Sequence, residues 1–166
     1  MSTEPGQLQT AENARLFALL SLSFADGVIA FYDAKYTYNF WRPVTAIRAA
    51  DTDGNAETEW IRTGFPRSAT PPRTYPGAHA VVTAAGAEVL TSFFHEDHFE
   101  FSVTSEVLAD VDRSFTSFSA AAEESTLSRI FAGVHFLFDL TTGQRLGSDV
   151  ADFVIDNFLT SRHRDD

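Results

Sequence analysis

Apolar residues recur at threes and fours along most of this chain, and that spacing restricts it to a bundle of helices. Leu16, Leu19, Leu20, Phe24, Val28 and Phe31 mark an amphipathic helix over residues 11–32. Gly27 lies within it, where it bends the helix or admits a close neighbour. Pro76 suits a first helical turn and opens an alanine-rich helix reaching about Phe94. Leu146, Val150, Phe153, Val154 and Phe158 share one side of a last helix over residues 144–159. Less regular patterns predict helices over 34–47, bent or restarted at Pro43, and over 105–122 and 126–139. A short strand is expected over 99–103, and a turn at Thr141-Thr142-Gly143. Residues 48–75, rich in Asp, Gly, Thr and Pro, have no periodicity and read as a long loop, functional or disordered. The expected fold is all-α, a bundle of five or six helices. It forms one domain over 1–166, with a core at 11–160 and a frayed tail at 161–166.

Charge narrows the function classes. A net charge of −11 is at odds with sequence-independent binding of nucleic acid and with docking on an anionic membrane surface. The apolar run 16–22 is too short to span a bilayer, so no membrane insertion and no signal segment are expected. With no cysteine there are neither disulfides nor thiolate metal sites. In so acidic a chain, clustered cations stand out.

Three blocks carry them. Lys35, the only lysine, precedes Arg42 by seven residues in Lys35-Tyr-Thr-Tyr-Asn-Phe-Trp-Arg42-Pro43. On one continuous helix seven residues turn through about 700°, so both cations would share a face. The aromatics between them, Tyr36, Tyr38, Phe40 and Trp41, imply a buried stretch, and buried cations need an anion. The second block is Tyr75-Pro-Gly77-Ala78-His79. There the opening amides of a helix and its dipole favour an anion and a neutral His79 able to act as a base. The third is Ser128-Arg129, with His135 and Asp139 behind it. Four residues apart on one helix, Asp139 would hold His135 in one tautomer and leave its other ring nitrogen to attack or ligate. Cations and two imidazoles together suit phosphate or vanadate.

The blocks Lys-x6-Arg-Pro, Pro-Gly-Ala-His and Ser-Arg-x5-His-x3-Asp resemble, in order and spacing, the signature of vanadium-dependent haloperoxidases and type-2 phosphatidic acid phosphatases. The phrases Asp33–Arg48 and Ser128-Arg-Ile-Phe-Ala-Gly-Val-His-Phe look most like the bacterial haloperoxidase-related branch. The resemblance covers about residues 14–160. It implies a haloperoxidase/acid-phosphatase-like bundle whose cofactor is vanadate, or phosphate in the same site. Lys35, Arg42, Arg129 and the amides of Gly77 and Ala78 would bind the oxyanion. His135 would be the axial vanadate ligand, or the nucleophile that becomes phosphohistidine. His79 would be the acid/base and Asp139 the group orienting His135. The substrates would be hydrogen peroxide and halide, with vanadate acting as a Lewis acid. The alternative is an acid phosphatase acting on phosphate monoesters, and a second alternative a non-catalytic truncated relative.

Departures from the family pattern sharpen these expectations. Gly77 stands where the family has serine, losing a hydroxyl worth on the order of 1–3 kcal/mol. Arg73 follows Thr70-Pro71-Pro72 where family haloperoxidases carry an aromatic that shapes the halide site. Arg73 and Trp41 are therefore candidate substrate-site residues. Family members carry further helices ahead of Leu16, so the chain resembles the catalytic half. Its apolar faces are expected to pair in a homo-oligomer or with a missing N-terminal segment. By family analogy it would be periplasmic or secreted. Asp51-Thr-Asp53-Gly-Asn55 has its glycine misplaced for a calcium loop and reads as a turn. His95 and His98 lack a third zinc ligand and read as a polar loop.

Overall fold

The computed structural model describes residues 10–48 and 73–160. The calcium-like turn, Thr70-Pro71-Pro72 and the tail 161–166 lie outside them.

Helix α1, Thr10–Tyr38, is longer than the sequence pattern implied and ends where Asn39 takes φ 45°, a left-handed conformation asparagine tolerates. Arg42 is then not on α1. Its carbonyl accepts from Thr45 N at 2.9 Å and Ala46 N at 3.0 Å, so it opens the short helix α2, Pro43–Arg48. Pro43 sits at the first helical position, where its missing N–H costs nothing. Helix α3, Ala78–Phe94, starts from Gly77 and closes on His95 at φ 56°. Strands β1, Phe101–Ser105, and β2, Leu108–Phe115, then pair antiparallel, with Phe101 opposite Phe115. This hairpin replaces the first half of the helix expected over 105–122. Helix α4, Phe118–Phe131, is capped by Ser117 Oγ, which accepts from Ala120 N at 3.0 Å. Gly133, at φ 66°, separates it from α5, Leu137–Asn157. The expected turn at Thr141-Thr142-Gly143 lies inside α5.

Helix α3 is the central element, packed against α1, α4 and α5. Leu16 and Leu19 of α1, Ala85 and Val89 of α3, and Ala151 and Val154 of α5 form the main apolar core. The contact between α3 and α5 is nearly backbone on backbone. A Cβ on Gly143 would stand 2.6 Å from the Gly77 carbonyl oxygen, and one on Gly147 would overlap that of Val81. Burial on α5 thus follows Leu140, Gly143, Gly147, Ala151 and Val154. Of the side expected to be apolar, Phe153 is 59% and Phe158 40% exposed.

The stretch Thr10–Ile47 is long and apolar enough, by length and composition alone, to cross a bilayer, contrary to the short run read at 16–22. A core helix of a bundle passes the same test. Phe17, Ile29, Tyr32 and Tyr36 form exposed apolar surface on α1.

Candidate active site

At the start of α3 the three sequence blocks meet around a cavity of about 410 Å³. Lys35, Arg42, Arg73, Ala78, His79, Arg129 and His135 line it, with Phe31, Tyr32 and Tyr36 as an aromatic wall. The lone ammonium and both imidazoles therefore share one cavity. Trp41, 47% exposed, is not among the lining residues.

Lys35 and Arg42 are each 8% exposed, while the aromatics between them stay largely in solvent, Tyr36 at 65% and Tyr38 at 64%. The burial expected of that segment belongs to its charges. Lys35 Nζ donates to the carbonyls of Thr74 at 2.8 Å and Pro76 at 2.6 Å. Burial and the neighbouring Arg42 pull its pKa down to about 8, with Asp139 partly offsetting them. Arg42 Nη1 donates to the carbonyl of Val134 at 2.7 Å and faces His135 Nε2 at 3.2 Å. Burial also lowers the Arg42 pKa.

His135 precedes α5 and Asp139 lies in its first turn, so the pair is not formed by one helix face. They meet because Asp139 Oδ2 turns back to accept from Phe136 N at 2.9 Å. His135 Nδ1 lies 3.2 Å from the same oxygen. Asp139 is fully buried beside His135, and its Oδ1 has no hydrogen-bond partner among the described residues. Burial lowers the His135 pKa, Asp139 acts against that, and Arg42 and Lys35 add to it. The neutral ring prevails.

Sequence reading missed Thr74. It is fully buried, its amide donates to Phe40 O at 2.9 Å, and its hydroxyl donates to Asp139 Oδ2 at 2.5 Å. The same hydroxyl oxygen lies 2.9 Å from His135 Nδ1. A threonine flanked by loop carries no signal of such contacts. Only its place two residues before Pro76, between two of the blocks, hinted at them.

The remaining cations are less engaged. Among the described residues, Arg129 Nε is buried without a hydrogen-bond partner. Arg73 Nε is likewise unpartnered, with its guanidinium 4.3 Å from the centre of the Tyr36 ring. His79 is exposed at the mouth. Partial burial, Arg129, His135 and Arg42 all lower its pKa, which favours the neutral base.

One expected anion donor is unavailable. Gly77 N donates to Asp139 O at 2.9 Å, so this amide holds α5 against α3 instead of facing the cavity. A Cβ there would approach Leu140 Cδ2 to 2.7 Å. Ala78 does line the cavity, and as the opening residue of α3 its N–H has no intrahelical acceptor.

Four cations and one carboxylate leave the site strongly positive, with the buried Nε of Arg73 and of Arg129 unpartnered among the described residues. That donor set fits a multiply charged tetrahedral oxyanion, and vanadate or phosphate satisfies it.

Comparison with known proteins agrees. The family model for the VCPO second helical-bundle domain matches residues 15–163. The vanadium chloroperoxidase of Curvularia inaequalis is 26% identical over 176 residues, spanning 80% of this chain and 29% of that protein. A bacterial vanadium-dependent iodoperoxidase structure superposes with a TM-score of 0.72 at 33% identity, covering 88% of this chain and 34% of its own. An apo bacterial vanadium-dependent chloroperoxidase shares the fold at a TM-score of 0.65 and 17% identity, over 83% of this chain and 35% of that one. The chain thus spans about a third of the length of these relatives. By fold, by the order of its three blocks and by the extent of the match, it belongs to the family of the VCPO second helical-bundle domain.

Proposed function

We propose that this chain binds vanadate in the cavity at the start of α3 and uses it in peroxide-dependent oxidation of halide. The observation that carries the reading is the unpartnered buried Nε of Arg129 in the cavity that also holds Lys35, Arg42, His79 and His135. Lys35, Arg42, Arg129 and the Ala78 amide would hold the vanadate oxygens, and His135 would ligate the vanadium. When bound, vanadate supplies Lewis acidity toward peroxide without changing oxidation state.

The chain's residues divide the remaining tasks. Arg129 donates N–H groups to the anion and neutralises its charge. Asp139 holds the His135 ring against rotation, as outer partners do for metal-ligating histidines. His79, neutral near pH 7, takes a proton at the cavity mouth and returns it. Arg73, stacked on Tyr36, faces the entering substrate.

A phosphate-monoester hydrolase is the second reading, favoured by Arg73. As a fourth cation in the cavity it suits the dianionic phosphoryl group of an ester about as well as vanadate. In that case His135 attacks phosphorus, the P–O bond to the ester oxygen breaks as protonated His79 gives that oxygen its proton, and the now neutral His79 takes a proton from the water that cleaves the phosphohistidine P–N bond.

Reconstitution with orthovanadate, followed spectroscopically, is expected to give saturable binding and halide oxidation that depends on both peroxide and halide. Turnover of p-nitrophenyl phosphate without vanadate, with no halide oxidation on reconstitution, selects the second reading. Neither activity, with His79→Ala and His135→Ala indistinguishable from the parent, would sink both and leave a non-catalytic relative.

A further inference from the structure

We propose that Thr74 is a positioning residue that fixes the tautomer of His135, so that the Nε2 lone pair points into the cavity. A threonine hydroxyl has one proton to give. It lies 2.5 Å from Asp139 Oδ2 and 2.9 Å from His135 Nδ1. An ionised carboxylate only accepts, so the hydroxyl proton goes to Asp139. Toward His135 the same oxygen then only accepts, and Nδ1 must carry the hydrogen. In the neutral ring Nε2 is left with its lone pair. The group facing Nε2 agrees, because Arg42 Nη1, 3.2 Å away, can only donate. One assignment of hydrogens satisfies every link from Arg42 to Asp139.

Asp139 favours the same tautomer but holds it less firmly. Its Oδ2 is 3.2 Å from Nδ1, longer than the Thr74 link, and also serves Phe136 N and the Thr74 hydroxyl. Thr74 is itself immobilised by Lys35 Nζ on its carbonyl and by Phe40 O on its amide. It thereby ties the first block to the third across sequence separations of 39 and 61 residues. Its hydroxyl cannot turn to water, since the side chain is fully buried.

The assignment of hydrogens stands on geometry alone. Its effect on affinity rests on the oxyanion reading above, and the test separates the two. In nitrogen-15 labelled full chain without ligand, the His135 imidazole, assigned by comparison with His135→Gln, is expected to show the Nδ1–H tautomer. Thr74→Val, left with the longer Asp139 link and Arg42, is expected to show that preference weakened, with a measurable share of the Nε2–H form, and Thr74→Ser to keep it. Orthovanadate and inorganic phosphate, titrated into the same proteins, are expected to bind Thr74→Val roughly tenfold to a hundredfold more weakly than the parent or Thr74→Ser, the range seen when outer partners of ligating histidines are removed. An Nε2–H tautomer in the unmutated chain overturns the proposal, even where Thr74→Val does not fold. So does Thr74→Val with parental tautomer and affinity, or equal weakening in both variants with the tautomer unchanged, which is a packing effect. If the parent binds neither anion, the oxyanion reading fails and the imidazole spectra alone decide the role of Thr74.

Discussion

The two walls of the cavity differ in how their polar groups are used. On one, Lys35, Arg42, Thr74, His135 and Asp139 are joined by hydrogen bonds between 2.5 and 3.2 Å. On the other, Arg73 and Arg129 each bury an unpartnered Nε, and His79 stands at the mouth. The joined wall is a scaffold completed by folding. The bare wall holds donors in reserve at a cost to stability, because desolvated charge is unfavourable until an anion arrives. Substitutions on the first should register in the fold, and those on the second in binding and turnover.

The largest expected effect contrasts the histidines. His79→Ala should lower turnover by roughly 10²–10⁴-fold, as for loss of a general acid/base, with oxyanion affinity and melting temperature near parental. Loss of affinity in parallel would move His79 from proton transfer to anion binding. Asp139→Ala should destabilise the fold by about 3–5 kcal/mol in urea titration, because the acceptor shared by Thr74 and Phe136 disappears and the buried cations lose their carboxylate. Arg129→Ala should invert that pattern, weakening vanadate binding roughly tenfold to a hundredfold with stability unchanged or raised. Equal destabilisation by both would erase the distinction between the walls.

Smaller effects test it without mutation. Phosphate at a hundred times its dissociation constant should stabilise the chain by about 2.7 kcal/mol, read as a rise in melting temperature. Lys35 provides two pH trends of opposite sign. Its folded pKa, about 8, lies below the ordinary 10.5, so the unfolded chain binds the proton more readily. The stability linked to this group is therefore complete above 10.5 and lost as pH falls toward 8. Oxyanion affinity should instead weaken above pH 8, as the ammonium discharges. Lys35→Met should flatten both curves.

Much of the site was legible because its chemistry demands particular residue types at fixed spacings. The three blocks delivered Lys35, Arg42, Ala78, His79, Arg129 and His135 to one cavity. The helical reasoning behind two pairs was nevertheless mistaken. Arg42 begins α2 after the left-handed Asn39, and His135 lies ahead of α5. Arg42 reaches Lys35's cavity through tertiary contacts, and Asp139 reaches His135 by turning back onto the Phe136 amide at the start of α5, neither of which helical periodicity encodes. Thr74 was invisible for the same reason. The apolar face of α5 was misjudged because where backbones touch, glycine and alanine carry the burial and the large side chains are displaced to the rim. Of the hairpin, the strand expected over 99–103 overlaps β1, while β2 was missed although Val111 and Phe115 suit a strand.

That glycine seam has a consequence for how such a centre changes over time. His79 is carried by α3, and His135 lies just ahead of α5, so both are hung from helices whose approach is set by how near two backbones lie. A methyl group at Gly147 would wedge the helices apart at the Val81 carbonyl and shift one ring away from the other. The approach of these two helices is in effect a constant of the scaffold. New chemistry must then be written on the rim, at positions such as Arg73 and Tyr36, where a side chain can be exchanged without re-spacing the pair.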